Sequence, residues 1–493
     1  MFKTVTPESV GLKSKYLEKF ILGLNKRNIH MHSVVLCRGY DIFGEFYWAP
    51  FDADFCHRMY SQTKSFVSVA IGLLLEEGKL SLDDKIADYF PEKIDTPLHE
   101  SLKKQTVRHM LMMSTASFGE SWFSSEWNDR CRIYFNKRGE NVRCPGTIWE
   151  YDSQGSQVLC CLVEKLAGKT LFDYLNEKIF SHLGTFKTAE ILKTPTGESW
   201  GDSALICTSR DMLSFGRFVM NYGVWNGKRL MNEEYLKEAT SRLIDNRETA
   251  FEDVLGHGYG YLIWRTEKNG FAFVGMGDQL TVCLPDYDLI FVCTADNQGC
   301  GFSREIILST FFDLIVDNLE SAPLKEDEKA YENMKKATQG LSLFALTGQN
   351  SSSWQERIDG KRYVFPKNEL GLSELTFKFS GDGGELHYTN ENGNLVLPFK
   401  LNANYFGKFP ELGYSGNVGH VRTTDGSKYD CATSGAWLCE NKLMIFAQII
   451  DKYFGNVSMC FGFNEDKITV TSYKTAEDFL WNYNGQAYGS VAP

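Results

Sequence analysis

The pattern of apolar residues changes near residue 320, and this change limits the architecture more than any other feature of the 493-residue chain. Before it, apolar residues run in helix-length stretches. Residues 65–77 predict a buried helix stopped by Gly78, and residues 106–113 and 156–167 predict two more. Residues 232–240 read as a polar surface helix and 302–319 as a further helix. Strand-like runs bracket these at residues 31–37, 271–274, 280–284 and 289–294. Strands drawn from both ends with helices between them predict an α+β domain. After the change, apolar residues alternate: Leu375, Phe377 and Phe379 are separated by Thr376 and Lys378. Turn pairs recur at Asp359-Gly360, Asp382-Gly383, Asn392-Gly393 and Asp425-Gly426. Short strands with such turns predict an antiparallel barrel or sandwich. The charged run 321–338 suits a linker or exposed helix. The expected division is 1–320, a linker over 321–345, and a β-rich accessory domain over 346–493.

Composition narrows the function classes. Hydrophobic residues make up 43% of the chain, enough for a large core, and the formal net charge is −11. An acidic chain has no general means of holding a polyphosphate, so nucleic acid is not an expected partner. The longest apolar stretch, 69–75, is too short to span a bilayer, and the first twenty residues have no continuous apolar core of a secretory signal. Thirteen cysteines, an odd number without a C-x-x-C pair, suit reduced thiols in a cytoplasmic protein. The nine histidines are scattered, H-E-x-x-H and nucleotide-binding glycine patterns are absent, and no metal or cofactor is expected. The G-x-S-x-G elbow of α/β-hydrolases is also missing.

The chemically informative segment is Met59-Tyr60-Ser61-Gln62-Thr63-Lys64, which opens the buried helix. Ser61 and Lys64 are three apart and so share one helix face. A helix N-terminus offers free N–H groups and partial positive charge, which favour an alkoxide. A lysine of ordinary pKa, about 10.4, costs roughly 4.6 kcal/mol to deprotonate at pH 7. Burial against an apolar helix can supply much of that, and Ser–Lys pairs are a known way to activate serine. S-x-x-K alone is weak, since Ser101 and Lys104 repeat it in a polar stretch.

Ser61-Gln62-Thr63-Lys64 followed by GLLLEEGKLSLDDKIADYFP resembles the serine β-lactamase and penicillin-binding-protein superfamily. The class C-like branch of esterases, D-amino-acid peptidases and 6-aminohexanoate-oligomer hydrolases is the most similar part of it. TVRHMLMMST, PGTIWEYDSQGSQVLCCLVEKLAGKTLFDYL, LICTSRDMLSFGRFVMNYGVWNGKRLMNEEYL and GHGYGYLIW extend the resemblance over residues 5–320. It implies an antiparallel sheet flanked by helices, with a helical lobe inserted between early and late strands. It implies Ser61 as nucleophile, Lys64 as its base and Tyr151 as a proton shuttle. Ser153, in Tyr151-Asp152-Ser153, would touch substrate.

The family's third motif, K-T-G or H-x-G, is replaced by Gly275-Met276-Gly277-Asp278-Gln279. The cation is missing, which argues against recognition of a β-lactam carboxylate, while the glycines keep close backbone approach to a substrate. The N–H groups of Ser61 and Met276 are the expected oxyanion hole, with the register open to Gly277 or Asp278. Gly275, Gly277 and Gln279 are expected to line the substrate. Trp122, Phe123 and Trp127, with Tyr259, Tyr261 and Trp264, fall where the family places cleft walls, so a bulky or apolar acyl group is expected. The sequence therefore predicts a serine hydrolase acting on an ester or amide of a small molecule or short peptide. A D-residue amidase and a non-catalytic binding protein on the same fold are the alternatives. The β-rich appendage could border the cleft or mediate homodimerisation.

Overall fold

The computed structural model describes residues 2–116, 125, 127–137, 142–250, 252–349, 351–413, 426–476 and 480–493. The chain divides into two compact units, one reaching Ser342 and one starting at Leu343. In the first unit, seven strands form one sheet: β1 (Lys3–Thr4), β2 (Met31–Arg38), β3 (Asp41–Tyr47), β4 (Trp264–Arg265), β5 (Phe271–Gly275), β6 (Gln279–Leu284) and β7 (Leu289–Ala295). Their order is β1-β3-β2-β7-β6-β5-β4, so N-terminal β2 pairs with C-terminal β7 at the centre. All pairs are antiparallel except β1 with β3.

The principal helices are α1 (Ser14–Lys26), α2 (Thr63–Glu76), α3 (Ser153–Ala167), α4 (Ser209–Met220) and α5 (Ser303–Leu314). They explain why β6 and β7 are continuous apolar runs rather than alternating ones: every residue in both strands is buried. Phe291 stacks on Phe311 of α5 at 4.6 Å and meets Phe20 of α1 edge-on at 5.8 Å. Its neighbour Ile290 points the other way, against Gly216 of α4. The sheet is thus covered on both faces.

Helix α2 is buried from Thr63 to Leu74. It ends in paired bonds from Gly78 N to Leu75 O and Lys79 N to Leu74 O, with Gly78 left-handed at φ 69°. With α3 and the short helices Val107–Leu111 and Arg130–Asn136, it makes the helical lobe. The charged run after residue 320 contains α6 (Glu328–Ala337), whose Met334 is buried in the core of the first unit. One apolar face on an otherwise charged helix is enough to seat it there.

The second unit is a closed barrel. Its strands are β8 (Arg362–Val364), β9 (Glu374–Ser380), β10 (Gly383–Asn390), β11 (Gly393–Leu401), β12 (Tyr405–Lys408), β13 (Asp430–Cys439), β14 (Lys442–Ile450), β15 (Phe454–Asn464), β16 (Lys467–Ala476) and β17 (Gly485–Val491). They run β11-β10-β9-β8-β17-β16-β15-β14-β13, and a parallel pairing of β11 with β13 closes the ring, while β12 adds to β13. Closure leaves none of the nine ring strands with an open edge. Leu375 and Phe377 point into the core, with Phe377 edge-on to Phe461 at 5.0 Å. Asp382-Gly383 and Asn392-Gly393 sit at hairpin turns, as the alternation predicts. Asp425 lies outside the described residues.

His32 of β2 and His57 form a buried histidine pair. His32 Nδ1 lies 2.9 Å from His57 Nε2, and His57 Nδ1 lies 2.9 Å from the Arg58 carbonyl. A carbonyl can only accept, so His57 carries its proton on Nδ1 and His32 donates to its Nε2. Burial holds His57 down to about 3 and His30 to about 4, and burial together with its two histidine neighbours holds His32 well below 6.5. The unfolded chain binds these protons from about pH 6.5 downward while the folded chain refuses them. Stability is therefore full above pH 6.5 and falls as pH drops toward 4. The expected loss at pH 5.5 is about 1.4 kcal/mol per histidine. Urea melts at pH 7.5 and 5.5 measure it, and equal midpoints would contradict the burial argument.

Candidate active site

The turn that carries Ser61 is anchored from several sides. Residues Tyr60–Gln62 form one 3₁₀ turn that runs directly into α2. Tyr60 is buried with φ 47°, a costly conformation for an aromatic residue. The Arg58 guanidinium lies 4.6 Å over its ring, and Thr63 Oγ1 donates to its carbonyl at 2.6 Å. Met59 N donates to Leu205 O at 2.8 Å, and Leu205 N donates to Thr63 Oγ1 at 3.0 Å. Thr281 Oγ1 of β6 donates to Gln62 Oε1 at 2.7 Å. The strain at Tyr60 is thus held by its surroundings, and Ser61 is left half-buried at the start of α2.

Lys64 lies one turn on. Its Nζ donates to Ser61 Oγ at 3.0 Å and to the Asp202 carbonyl at 2.6 Å, and stands 3.8 Å from Asp202 Oδ2. The Lys64 and Asp202 side chains are 2% and 5% exposed, so the contact is screened little by solvent. The Tyr151 ring centre is 5.0 Å from the same Nζ, so Ser61, Lys64 and Tyr151 are brought together. Tyr151 reaches this position because Asp152 caps α3: its Oδ1 accepts from Gly155 N at 2.9 Å and its Oδ2 from Thr115 Oγ1 at 2.8 Å. Tyr151 also stacks on Trp264 (5.8 Å, 20°), which packs against Trp149. Ser153 is the first residue of α3 and is half-buried.

The third segment closes the arrangement. Gly275 ends β5 and Gln279 opens β6, with Met276, Gly277 and Asp278 as the connecting turn. A Cβ on Gly275 would lie 2.3 Å from the Met59 carbonyl, so only glycine lets this strand end rest on the backbone two residues before Ser61. Met276 is 38% exposed. Among the described residues, no carbonyl or side-chain acceptor takes the N–H of Ser61 or of Met276. Gly277 and Asp278 take positive φ, 73° and 70°. Asp278 is fastened to α5, with Ser303 Oγ donating to it and Arg304 3.3 Å away.

Three expectations about the cleft change. Gln279 is fully buried, and its amide donates to the carbonyls of Met276 (2.9 Å) and Ala295 (2.6 Å) and accepts from Ala295 N (3.1 Å). It braces the turn, because a buried amide must spend its polar atoms locally. Tyr259 is buried edge-on to Trp264 at 5.0 Å, and Tyr261 is buried with its hydroxyl donating to Glu238 at 2.7 Å. Both support the wall from behind. Trp122 and Phe123 lie outside the described residues, and Trp127 is half-buried beneath Lys137. Asp202, which is 138 residues from Lys64 and belongs to no motif, carries no sequence signal of its place here. Neither do Arg58 and Arg130, whose guanidiniums lie 4.5 and 4.4 Å over the Trp200 ring. Among the described residues, no three His, Cys, Asp or Glu side chains are grouped to hold a metal, and no helix is long and apolar enough to cross a membrane. All thirteen cysteines are free thiols.

A family model described as Beta-lactamase matches residues 28–299, more than half of the chain. The chain belongs to the beta-lactamase family. A 6-aminohexanoate-dimer hydrolase of Paenarthrobacter ureafaciens is 23% identical over 220 residues, which are 41% of this chain and 55% of that protein. The chain thus spans about half the length of that relative. Among solved structures, a Bacillus anthracis protein to which 6-aminohexanoate-dimer hydrolase activity has been ascribed superposes with a TM-score of 0.53 at 18% identity, covering 64% of this chain and 86% of that one. A penicillin-binding-protein homologue from Caulobacter crescentus gives 0.50 at 16% identity, covering 63% and 99%. These likenesses establish the fold of the family's sheet and helical lobe. The barrel in this chain follows it toward the C-terminus.

Proposed function

We propose that this chain is a serine hydrolase that cleaves an ester or amide bond through an acyl-enzyme on Ser61. The observation that carries this reading is the 3.0 Å contact of Lys64 Nζ with Ser61 Oγ at the mouth of a buried helix, beside Tyr151. Ser61 Oγ attacks the carbonyl carbon, and its proton passes to the Lys64–Tyr151 unit. The tetrahedral oxyanion is held by the N–H groups of Ser61 and Met276. As the C–O or C–N bond breaks, the leaving group takes that proton, and water then attacks the acyl-Ser61 and restores the hydroxyl. The half-buried Tyr151 ring, backed by buried Trp264, offers an apolar surface to the acyl group. The relative named as a dimer hydrolase of 6-aminohexanoate makes a linear amide a substrate class to test beside esters.

The cation that a β-lactam carboxylate would need is missing from the third segment. Arg304, beside that turn, is already paired with Glu252 at 2.8 Å and with Asp278. Chromogenic cephalosporins are therefore expected to turn over far more slowly than short-chain nitrophenyl esters.

The test is a screen of nitrophenyl esters, D-aminoacyl anilides and a linear ω-amino-acid dimer, with a fluorophosphonate probe in parallel. Label on Ser61 and turnover of at least one class are expected. A folded chain that takes no label and turns over none would favour ligand binding without catalysis.

A further inference from the structure

Lys64 Nζ contacts Asp202 twice, through the backbone carbonyl at 2.6 Å and the carboxylate at 3.8 Å. The turn bearing Asp202 is held by α3, the helix that follows Tyr151. Gln157 Nε2 donates to Ser199 O and Gly201 N donates to Gln157 Oε1, both at 2.9 Å. A Cβ on Gly201 would lie 2.3 Å from Cys160 Sγ, so the turn rests directly on the helix. Asp202 Oδ1 is buried and meets no donor among the described residues. The carboxylate has its own backbone N–H as a local donor, and the larger part of its compensation comes from the charges of Lys64, Arg130 and Arg58.

The charges around it are few and identifiable. Lys64, Arg130 and Arg58 act on the Asp202 carboxyl, the Tyr151 ring faces Lys64 from the α3 side, and the Cys160 thiol lies within the field of Asp202. Arg58 and Arg130 are permanent cations that share with Lys64 the balancing of the Asp202 carboxyl. Burial raises the Asp202 carboxyl above its ordinary range, and the three cations pull it back.

We propose that Asp202 is a positioning residue of the Ser61 site: its carboxylate, balanced against Arg58 and Arg130, sets the pH at which Ser61 becomes nucleophilic and holds Lys64 Nζ on Ser61 Oγ. The inference rests on the reading of Ser61 as nucleophile and adds the group that tunes it. It makes opposite predictions for two substitutions. Asp202→Asn removes a negative charge, so the site sheds its proton more easily. Arg130→Gln removes a positive charge, so the site holds its proton more firmly.

The experiment is the rate of fluorophosphonate labelling of Ser61 as a function of pH, which needs no knowledge of the substrate. The acidic limb is expected to move down by about 1 pH unit in Asp202→Asn and up in Arg130→Gln, with Asp202→Glu returning toward the wild type. Near-UV circular dichroism checks the fold of each variant, and Arg130→Gln carries the test if Asp202→Asn does not fold. Limbs that stay at the wild-type position in labelled, folded variants overturn the role of Asp202 while leaving the nucleophile intact. A wild-type chain that takes no label overturns the nucleophile and this inference with it.

Discussion

Ser61→Ala is expected to lower turnover by roughly 10⁴-fold or more while leaving the fold intact. The two halves of this expectation have different causes. The catalytic loss follows because, among the described residues, Ser61 is the hydroxyl that Lys64 Nζ meets, at 3.0 Å at the start of α2. The fold survives because Ser61 is half-buried and gives up one hydrogen bond, a loss of about 1 kcal/mol. Lys64→Met should behave differently. Methionine fills much of the same volume, and loss of the proposed general base is expected to lower turnover by about 10²–10⁴-fold. It also leaves the buried Asp202 carboxylate without its nearest cation, so stability is expected to fall by about 3 kcal/mol. Turnover and urea midpoints of the two variants check the pair. A Ser61→Ala chain that kept near-native turnover, or a Lys64→Met chain as stable as Ser61→Ala, would contradict the geometry.

Much of this arrangement was legible in the sequence because it is written in local patterns. The run 289–294 reads as a strand, and β7 spans Leu289–Ala295. The run 65–77 reads as a helix with a glycine stop, and α2 ends at Gly78 through two backbone bonds. Alternation and turn pairs read as an antiparallel β domain, and the barrel closes through β11 and β13. The three-residue spacing of Ser61 and Lys64 is a property of one helical turn, so their contact needs no tertiary information.

What could not be read depends on residues brought from far along the chain. Asp202 meets Lys64 only because the loop before Leu205–Cys207 folds back onto α2 and α3. Gln279 looks like a substrate contact, a polar residue beside glycines, until β7 supplies Ala295 to engage its amide. Tyr259 looks like a cleft wall until Trp149 and Trp264 close over it. The left-handed conformation of Tyr60 has no sequence signal, since aromatic residues rarely adopt it and the surrounding bonds alone hold it there.

Gly275→Ala is expected to damage both stability and the Ser61 site. The added Cβ would sit 2.3 Å from the Met59 carbonyl, and a backbone atom cannot swing aside as a side chain can. Met59 cannot retreat freely, because its own N–H is bonded to Leu205 O and β4 holds β5 on the opposite edge from β6. Either β5 lifts from the Ser61 turn or the turn itself moves. Overpacking of this kind costs about 3 kcal/mol. Whichever part moves, the distance between the Ser61 and Met276 N–H groups changes, so phosphonate labelling should fall together with stability. Gly168→Ala is the control. Gly168 caps α3 at φ 67° with nothing within 4 Å of an added methyl, so the change costs only the left-handed strain, about 1 kcal/mol. Its labelling rate should match the wild type. Equal labelling and equal stability for the two glycine variants would mean that β5 does not press on the nucleophile turn, and the proposed oxyanion hole would lose its structural basis.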